Sequence, residues 1–423
     1  MMLRIPIPEG WGEAPLKDVV TFCTDYLPEN TSPDFSFRYV DIGSVEHGKG
    51  ITRFQEMSFS EAPSRARKRV RRGDTIVSTV RTYLKAIAHV DEDENFIVST
   101  GFSVLRPKTM YPRYLTYLME SDFVCDEIDK LSWGVSYPAI SESLMGCIHV
   151  PIPPFSEQKN ITKELVEELG TIDEASDALE QQVRALGRYR SSLINEAVTK
   201  GLNPNVPMKP SGVEWMGYIP SEWSITKLKY IARTCNGLDY DSEDVCSPDD
   251  AGAALVVRSS NISNGEMVHA DDVFVNTKIP DSVRLRKDDL VIVRANGSPA
   301  LVGKSALFSL DGSCVAGGFM LICRSEDNRF LRWVLQSNLL PYYRGAFDTT
   351  TINRLSASML GNMLIPWPSK GEREQIAKNL SKVTESIDAV IDTKRRQLDV
   401  LKRRRQSLIY EYVTGKRRVG TKG

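Results

Sequence analysis

The sequence has few of the residues that metal and disulfide chemistry require. Its four histidines include no His-Glu-x-x-His motif, so a zinc hydrolase site lacks ligands. The seven cysteines are scattered, odd in number and form no Cys-x-x-Cys pair, which argues against a disulfide framework or a zinc knuckle. We therefore expect reduced thiols, no metal site and a cytoplasmic protein.

Long apolar runs and a net charge are also missing. Pro6 and Pro8 interrupt the region where a signal peptide needs a continuous apolar core, and no later stretch approaches the roughly 20 apolar residues of a membrane span. The 54 Lys and Arg residues nearly balance the 55 Asp and Glu residues, so whole-chain charge points neither toward nucleic acid nor away from it. Secretion and membrane insertion are not expected, and any basic surface must be local.

An internal duplication organises what the sequence does contain. At roughly 150 residues per domain, a chain of 423 residues predicts about three units. The segment around Trp11 returns at Trp223, an offset of 223 − 11 = 212, and that around Leu193 returns at Leu408, an offset of 408 − 193 = 215. Three further matches keep the order: Arg69–Asp74 with Arg284–Asp289, Gly101-Phe102 with Gly318-Phe319, and Arg113–Leu115 with Arg329–Leu331. Each half therefore consists of a globular part followed by a tail.

The globular parts mix strand and helix patterns, which predicts an α+β fold. Runs rich in Val, Ile, Phe and Thr predict strands at Asp74–Val80, Phe96–Leu105, Asp289–Val293 and Ser313–Cys323. Apolar residues at spacings of three and four predict helices at Arg113–Lys130 and Arg329–Tyr342.

The tails carry the heptad pattern of coiled-coil helices. The predicted seam residues are Leu165, Ile172, Leu179, Leu186 and Leu193 in the first tail and Leu380, Ile387, Leu401 and Leu408 in the second. Lys394 is the one polar residue on the second seam. A helix of about 44 residues forms a rod of roughly 65 Å, which must bury one stripe along its length.

The charges of the two tails suit mutual pairing. Residues 156–200 hold nine acids and six bases, whereas residues 369–423 hold fifteen bases and seven acids. Because the halves are similar and joined in series, we predict a pseudo-twofold arrangement in which the two helices pair as an antiparallel coiled coil between two similar globular domains. The alternative is that each helix pairs with a different protein.

None of the possible catalytic motifs is complete. The stretch Ile152–Phe155 resembles a loop of amino-methyltransferases, but Ile152 lacks the side-chain carbonyl that would hold the flipped base. Residues 297–305 resemble a phosphate loop with one residue too many. Asp392-Thr393-Lys394 could end a nuclease motif, yet it lies within the heptad pattern, where a solvated face is the simpler interpretation. We therefore expect no enzyme site and no cofactor bound by the chain itself.

A cluster of cations in the first globular part is a candidate phosphate-binding stripe. Six cations fall within eight residues, and the candidates among them are Arg65, Arg67, Lys68, Arg69 and Arg71. The alternative for this segment is an ordinary solvated surface.

Two pairs of loops carry side chains able to read base edges, since Arg pairs with guanine and Asn with adenine. The first pair follows the Gly-Asp turns, and its candidates are Arg81, Tyr83 and Lys85 in the first half and Arg294, Asn296, Ser298 and Lys304 in the second. The other pair is Trp133–Tyr137 and Asp348–Asn353, and its candidates are Ser136, Tyr137, Thr350 and Asn353. A structural turn is the alternative for the second pair.

With these features assembled, the sequence resembles the specificity subunits of type I restriction-modification enzymes over nearly its whole length. The motifs that carry the resemblance are Pro153–Gln158 before the first helix, the Ser-Leu-Ile-x-Glu-x-Val-Thr helix ends at Ser192–Thr199 and Ser407–Thr414, and Ser211–Gly217 leading into Ile219-Pro220-x-x-Trp223. The start of the second helix departs from the pattern, since Pro366-Trp367-Pro368 is followed by Glu372–Gln375.

The resemblance implies two target recognition domains that each read half of an asymmetric, bipartite DNA site, held apart by two spacer helices. The implied boundaries are 1–153 and 218–368 for the domains, 154–200 and 369–414 for the helices, 201–217 for a linker and 415–423 for a basic tail. It also implies that partners perform the chemistry, namely a methyltransferase using S-adenosylmethionine and a restriction subunit using ATP and Mg. The alternatives are a duplicated coiled-coil scaffold that binds only proteins and, against the evidence of Ile152, a methyltransferase in its own right.

Overall fold

A computed structural model of the chain describes residues 6–92, 95–344 and 354–419. The fold divides into two compact units, one formed by residues 1–180 with 395–423 and the other by residues 181–394. Each unit consists of one sheet-rich domain and one half of each of two long helices. We refer to Phe155–Lys200 as the central helix and to Lys370–Val413 as the C-terminal helix.

The first domain is built on two four-stranded sheets. One sheet has the strand order Gln55–Ser58, Ser36–Val40, Phe96–Ser99 and Ala66–Arg69, with a parallel pair in the middle. The other is antiparallel, in the order Val20–Phe22, Phe102–Pro107, Thr75–Ser78 and Ile87–His89. Two short strand pairs join Gly12–Pro15 to His149–Ile152 and Val45–Glu46 to Gly50–Ile51. The helical segments are Leu16–Val19, Ile42–Ser44, Thr82–Leu84, Pro112–Glu120, Asp122–Leu131 and Glu142–Gly146.

The second domain repeats this plan, except that the parallel pair lies at one end of its sheet. The sheet with the parallel pair has the order Val245–Cys246, Val273–Val275, Ala254–Val257 and Cys314–Ala316. The antiparallel sheet has the order Arg233–Asn236, Met320–Arg324, Leu290–Val293 and Ser305–Leu307. The short strand pairs are Ser224–Lys227 with Leu364–Trp367, Ile262–Ser263 with Glu266–Met267, and Met208–Pro210 with Tyr218–Pro220. The helical segments are Leu228–Tyr230, Ser242–Asp244, Ser259–Asn261, Pro299–Leu301, Asn328–Gln336, Leu339–Tyr343 and Ala357–Asn362.

Two segments that the sequence predicts as single strands are each two strands in different sheets. Phe96–Leu105 turns at Gly101, where an added Cβ would lie 2.9 Å from the Cδ1 of Ile42. The prediction failed because both sheets bury the run: Val98 and Phe102 are fully buried on either side of the turn. The segment Ser313–Cys323 divides in the same way.

The two predicted helices of the globular parts are also divided, each at a serine. Ser121 has extended backbone angles and separates two short helices, and its side chain accepts a hydrogen bond from the backbone N–H of Val124 at 3.4 Å. Ser337 takes the same place in the second domain, where its hydroxyl donates to the carbonyl of Val334 at 2.6 Å. A serine that competes with the helical hydrogen bonds explains both breaks.

The central and C-terminal helices pair antiparallel within each unit, as the heptads predict. In the first unit, residue numbers increase along the central helix while those of their ion-pair partners decrease along the C-terminal helix and the residues that follow it. The pairs are Glu157 with Arg418, Glu168 with Arg417, and Asp173 with Arg405. In the second unit Gln182 pairs with Lys394, and Arg190 with Asp388 at 2.9 Å. Among the described residues, no helix combines the length and apolar composition needed to span a bilayer.

The seam residues do more than join the helices, because the helix ends also enter the domain cores. Of the predicted seam, Leu165, Leu380, Ile387 and Leu408 are buried, whereas Ile172, Leu179, Leu186, Leu193 and Leu401 are half-buried. Leu165 and Leu408 belong to one apolar cluster with Tyr114 and Leu115 of the first domain. Leu380 belongs to the corresponding cluster of the second domain. Each domain is therefore packed on its part of the helix pair.

Equivalent polar contacts confirm the duplication. The indole N–H of Trp11 donates to Glu157 at 3.0 Å, and that of Trp223 donates to Glu372 at 3.1 Å. Since 372 − 157 = 215, the second helix keeps the offset of the repeat although its preceding motif differs. The carboxylate of Asp74 holds Arg106 with two hydrogen bonds of 2.8 Å. This second contact is also duplicated, at Asp289 and Arg324.

Candidate nucleic-acid interface

The basic run of the first domain forms a strand, so its side chains alternate between two faces. Arg65 and Arg69 are exposed, and Arg67 is half-buried with its guanidinium 4.6 Å from the centroid of the Phe59 ring. Ala66 lies on the opposite, buried face. The predicted stripe is therefore carried by the odd-numbered residues.

Lys68 does not belong to this stripe. It is 5% exposed, and its amine donates to the carbonyl of Phe102 at 2.8 Å and to Glu142 at 2.9 Å. A buried amine with two partners is a structural cation, and it is not available to phosphate. We correct the prediction by removing Lys68 from the candidate interface. Arg71 remains exposed and reaches Asp25 at 3.3 Å.

The loop after the strand Thr75–Ser78 presents two of the predicted side chains to solvent. Arg81 adopts the left-handed conformation with φ 52°, and its guanidinium lies 4.9 Å from the centroid of the Tyr137 ring. Tyr83 is exposed beyond it. Lys85 ends the turn, also left-handed, and its amine donates to Asp122 at 2.9 Å. Lys85 therefore positions the loop, while Arg81 and Tyr83 form its outer surface.

The loop Trp133–Tyr137 lies beside the first one, as its pairing with the strand end shows. Ala139 forms bridges with both Val80 and Trp133, and the backbone N–H of Arg81 donates to the carbonyl of Pro138 at 2.7 Å. The predicted residues Ser136 and Tyr137 are exposed here. The structure thus brings two separately predicted loops together on one surface, a contact for which the sequence had no signal.

In the second domain the equivalent loop lies between strands Leu290–Val293 and Ser305–Leu307. The guanidinium of Arg294 is half-buried and donates to the carbonyl of Gly318 at 3.4 Å. The amide of Asn296 donates to the hydroxyl of Ser259 at 3.2 Å, and its carbonyl accepts from the backbone N–H of Ser298. Ser298 is the exposed member of the set. The remaining candidates, Thr350 and Asn353, lie outside the described residues.

Lys304 has a structural function in this loop. Its amine donates to the carbonyl of Ser259 at 3.2 Å, and burial lowers the pKa of Lys304 below its ordinary value. A cation that burial already disfavours is better suited to hold the Ser259 turn than to bind phosphate. We therefore assign Lys304 to the frame of the loop and not to its outer surface.

The structure adds residues that the sequence patterns missed. A cleft of the second domain is lined by Tyr240, Arg258, Asn296 and Phe319, among others. Phe319 was matched with Phe102, but Phe102 is buried at the start of its strand and Phe319 is 66% exposed one residue before the equivalent strand. Arg258 follows the strand Ala254–Val257 and had no sequence signal, because its counterpart Asp41 has the opposite charge.

Comparison with known proteins shows what part of the chain is similar to a family model. Residues 8–184 match the family model of the type I restriction modification DNA specificity domain. This region includes nearly the whole first domain and the first part of the central helix. The resemblance found in the sequence is thereby confirmed for this region, which is similar to the DNA specificity domain of type I restriction-modification systems.

Similarity to individual proteins extends over most of the chain. The StySPI specificity subunit of Salmonella potsdam is 24% identical over 417 residues, which cover 92% of this chain and 86% of that protein. The MjaVIII specificity subunit of Methanocaldococcus jannaschii is 24% identical over 301 residues, covering 68% and 66% of the two chains. Both are subunits of type I restriction enzymes, so the relatives agree with the domain match.

A solved structure shares the fold. The structure comes from work on complex assembly and conformational transition of the type I R-M system. One of its chains superimposes on this chain with a TM-score of 0.67 at 22% identity, over 97% of this chain and 100% of that one. The α+β architecture with two sheet-rich domains and two long helices is therefore that of a known type I component.

Proposed function

We propose that the chain recognises a bipartite, asymmetric DNA site, with one half-site read by each domain. The observation that carries the proposal is that equivalent loops on matching frames present different side chains. Arg81 and Tyr83 are exposed in the first domain, whereas Asn296, Ser298 and Arg258 occupy the corresponding region of the second. Two readers with different side chains recognise two different sequences.

The chemistry belongs to partner subunits under this proposal. The chain directs a methyltransferase and a restriction subunit to its site, and it holds no S-adenosylmethionine, ATP or Mg of its own. The incomplete Ile152–Phe155 motif supports this division, since strand pairing with Gly12–Pro15 commits Ile152 to a sheet. The two long helices are the spacer that sets the separation of the half-sites.

The test is modification-sensitive long-read sequencing of DNA from cells that co-express the chain with its type I methyltransferase subunit. We expect a split, asymmetric methylated motif that is absent from cells with the methyltransferase alone. An Asn296→Ala variant is the matched probe, because it should relax the half-site of the second domain only. If the two proteins associate and no motif appears, the proposal is wrong and a scaffold that binds only proteins is favoured.

A further inference from the structure

The loop of residues 132–139 in the first domain presents three large apolar side chains to solvent. Trp133 is 79% exposed, Val135 is 104% exposed and Tyr137 is 65% exposed. The adjoining loop adds Tyr83 and Leu84, which are also exposed. Single exposed apolar residues are ordinary, but a contiguous group of this size marks a contact surface.

The loop is held in a defined shape by its backbone. Trp133 and Ala139 exchange two hydrogen bonds of 3.1 Å, which close the loop as a small hairpin. Gly134 has φ +116°, and an added Cβ would lie 3.0 Å from the carbonyl oxygen of Tyr137. Its base is fixed to the domain, because the backbone N–H of Ile140 donates to the carbonyl of Thr79 at 2.9 Å. Val135 is thus carried at the tip of a preformed projection.

Cations border the projection on the side of the domain. The guanidinium of Arg81 lies over the Tyr137 ring. Backbone hydrogen bonds of 2.8 Å link Arg65 to Thr100 and Gly101 to Thr79, so the exposed Arg65 lies at the same edge of the domain. An apolar tip beside cations is complementary to duplex DNA, because an exposed cation such as Arg65 contacts phosphates while the apolar side chain enters between base pairs.

We propose that Val135, supported by Trp133 and Tyr137, is a wedge that unstacks one base step within the half-site of the first domain and bends the duplex there. The inference rests on the proposed DNA-recognition function and specifies how one domain engages its site. Unstacking costs free energy that depends on the base step, so the wedge adds specificity at a position that makes no hydrogen bond.

The experiment uses the complex of the chain with its methyltransferase subunit, bound to duplexes carrying the motif found by sequencing. 2-Aminopurine is placed at each position of the half-site in turn, and the end-to-end distance of a doubly labelled duplex reports bending. The variants are Val135→Ser and Trp133→Ser. The matched control is Tyr230→Ser, which removes an equally exposed ring from the second domain.

With the original chain, one base step should show increased 2-aminopurine fluorescence and the duplex should shorten. Val135→Ser should abolish both signals and weaken binding to the motif on the order of tenfold, while Tyr230→Ser should change neither. Bending and fluorescence that Val135→Ser leaves intact would overturn the wedge while the recognition function stands. Loss of association with the methyltransferase subunit in Trp133→Ser would assign the loop to a protein contact and overturn it as well. No motif-specific binding by the original chain would overturn both proposals.

Discussion

The two domains share a frame and differ at the loops that cap it. The bidentate pair of Asp74 with Arg106 is duplicated at Asp289, where Arg324 is held at 3.0 Å. After the equivalent strands Ser36–Val40 and Ala254–Val257, however, Asp41 faces solvent in one domain and Arg258 stands in the other. Buried contacts are retained because their loss would unfold the domain, whereas a loop position outside these contacts is free to reverse its charge. The duplication therefore preserves a scaffold and varies a surface.

The largest effect is expected from the shared frame. Asp74→Ala should lower the free energy of unfolding by about 4 kcal/mol, because it leaves Arg106 without its partner and also removes a 2.9 Å acceptor from the backbone N–H of Arg71. Asp289→Ala should have a similar effect. Urea unfolding of the two variants measures both, and a loss below 1 kcal/mol in only one of them would show that the frames are not equivalent.

A slightly smaller loss of unfolding free energy is expected from substitutions where the two long helices enter the domain cores. Leu165 and Leu380 occupy matching positions, since 380 − 165 = 215, and both side chains are buried. The matched variants are therefore Leu165→Ala and Leu380→Ala. Each should lower the free energy of unfolding by about 3 kcal/mol through the transfer and cavity costs of a large-to-small change. The half-buried Leu186 is the control, and its alanine variant should cost less than either. Equal losses at all three positions would contradict the packing described for the seam.

Acid should affect the stability of the two domains differently, because a half-buried histidine, His89, ends a strand of the first domain and a leucine has that place in the second. Burial lowers the pKa of His89 to about 4, whereas Leu307 has the equivalent place. Unfolded His89 takes up a proton as the pH falls through about 6.5 and folded His89 does not until about 4, so the stability present above pH 6.5 is lost as the pH falls toward 4.

His89→Leu, which copies the second domain, should remove on the order of 2 kcal/mol of this pH dependence. Unfolding curves between pH 4.5 and 7.5 measure it. An unchanged slope in the variant would mean that His89 is not the titrating group.

The smallest effects are expected at the loops, and they should be confined to one half-site each. Arg81→Ala and Arg258→Ala should each weaken binding of the complex to its motif by about 1–2 kcal/mol. If the domains read separately, Arg81→Ala relaxes only the first half-site and Arg258→Ala only the second. Competition with duplexes altered in one half-site distinguishes this from a phosphate contact, which would weaken binding to all sequences alike.

Much of the scaffold that the two domains share could be predicted from the sequence, because the patterns that indicate it are local. Heptad spacing places Leu165 and Leu408 on buried stripes, and the duplication identifies the paired domains. The division of Phe96–Leu105 between two sheets could not be predicted, since a run that is buried on both sides of a turn carries no change of period. Had Ala66–Arg69 been predicted as a strand, the alternation of side chains between its two faces would have placed Lys68 on the buried face.

The loop surface was less predictable, because the residues that form it come from separate segments. Arg81 and Tyr137 were both candidates, but 56 residues separate them in the chain, and they meet through the bridge of Val80 with Ala139 and the backbone hydrogen bond from Arg81 to Pro138. Arg258 has no like-charged counterpart in the first domain, and Phe319 matches Phe102 in sequence but not in exposure, so the internal repeat indicated neither residue. The residues that differ between the two copies, in identity or in exposure, therefore distinguish the surfaces of the two domains.

The exposed loop Trp133–Tyr137 also has a consequence for handling the protein. A projecting tip of Trp, Val and Tyr whose three side chains are mostly exposed favours self-association in water, because identical tips on neighbouring molecules can stack on one another. Chain produced in excess of its ligands should therefore self-associate at high protein concentration. A short duplex in the purification buffer should keep it dispersed, and Val135→Ser should make that additive unnecessary.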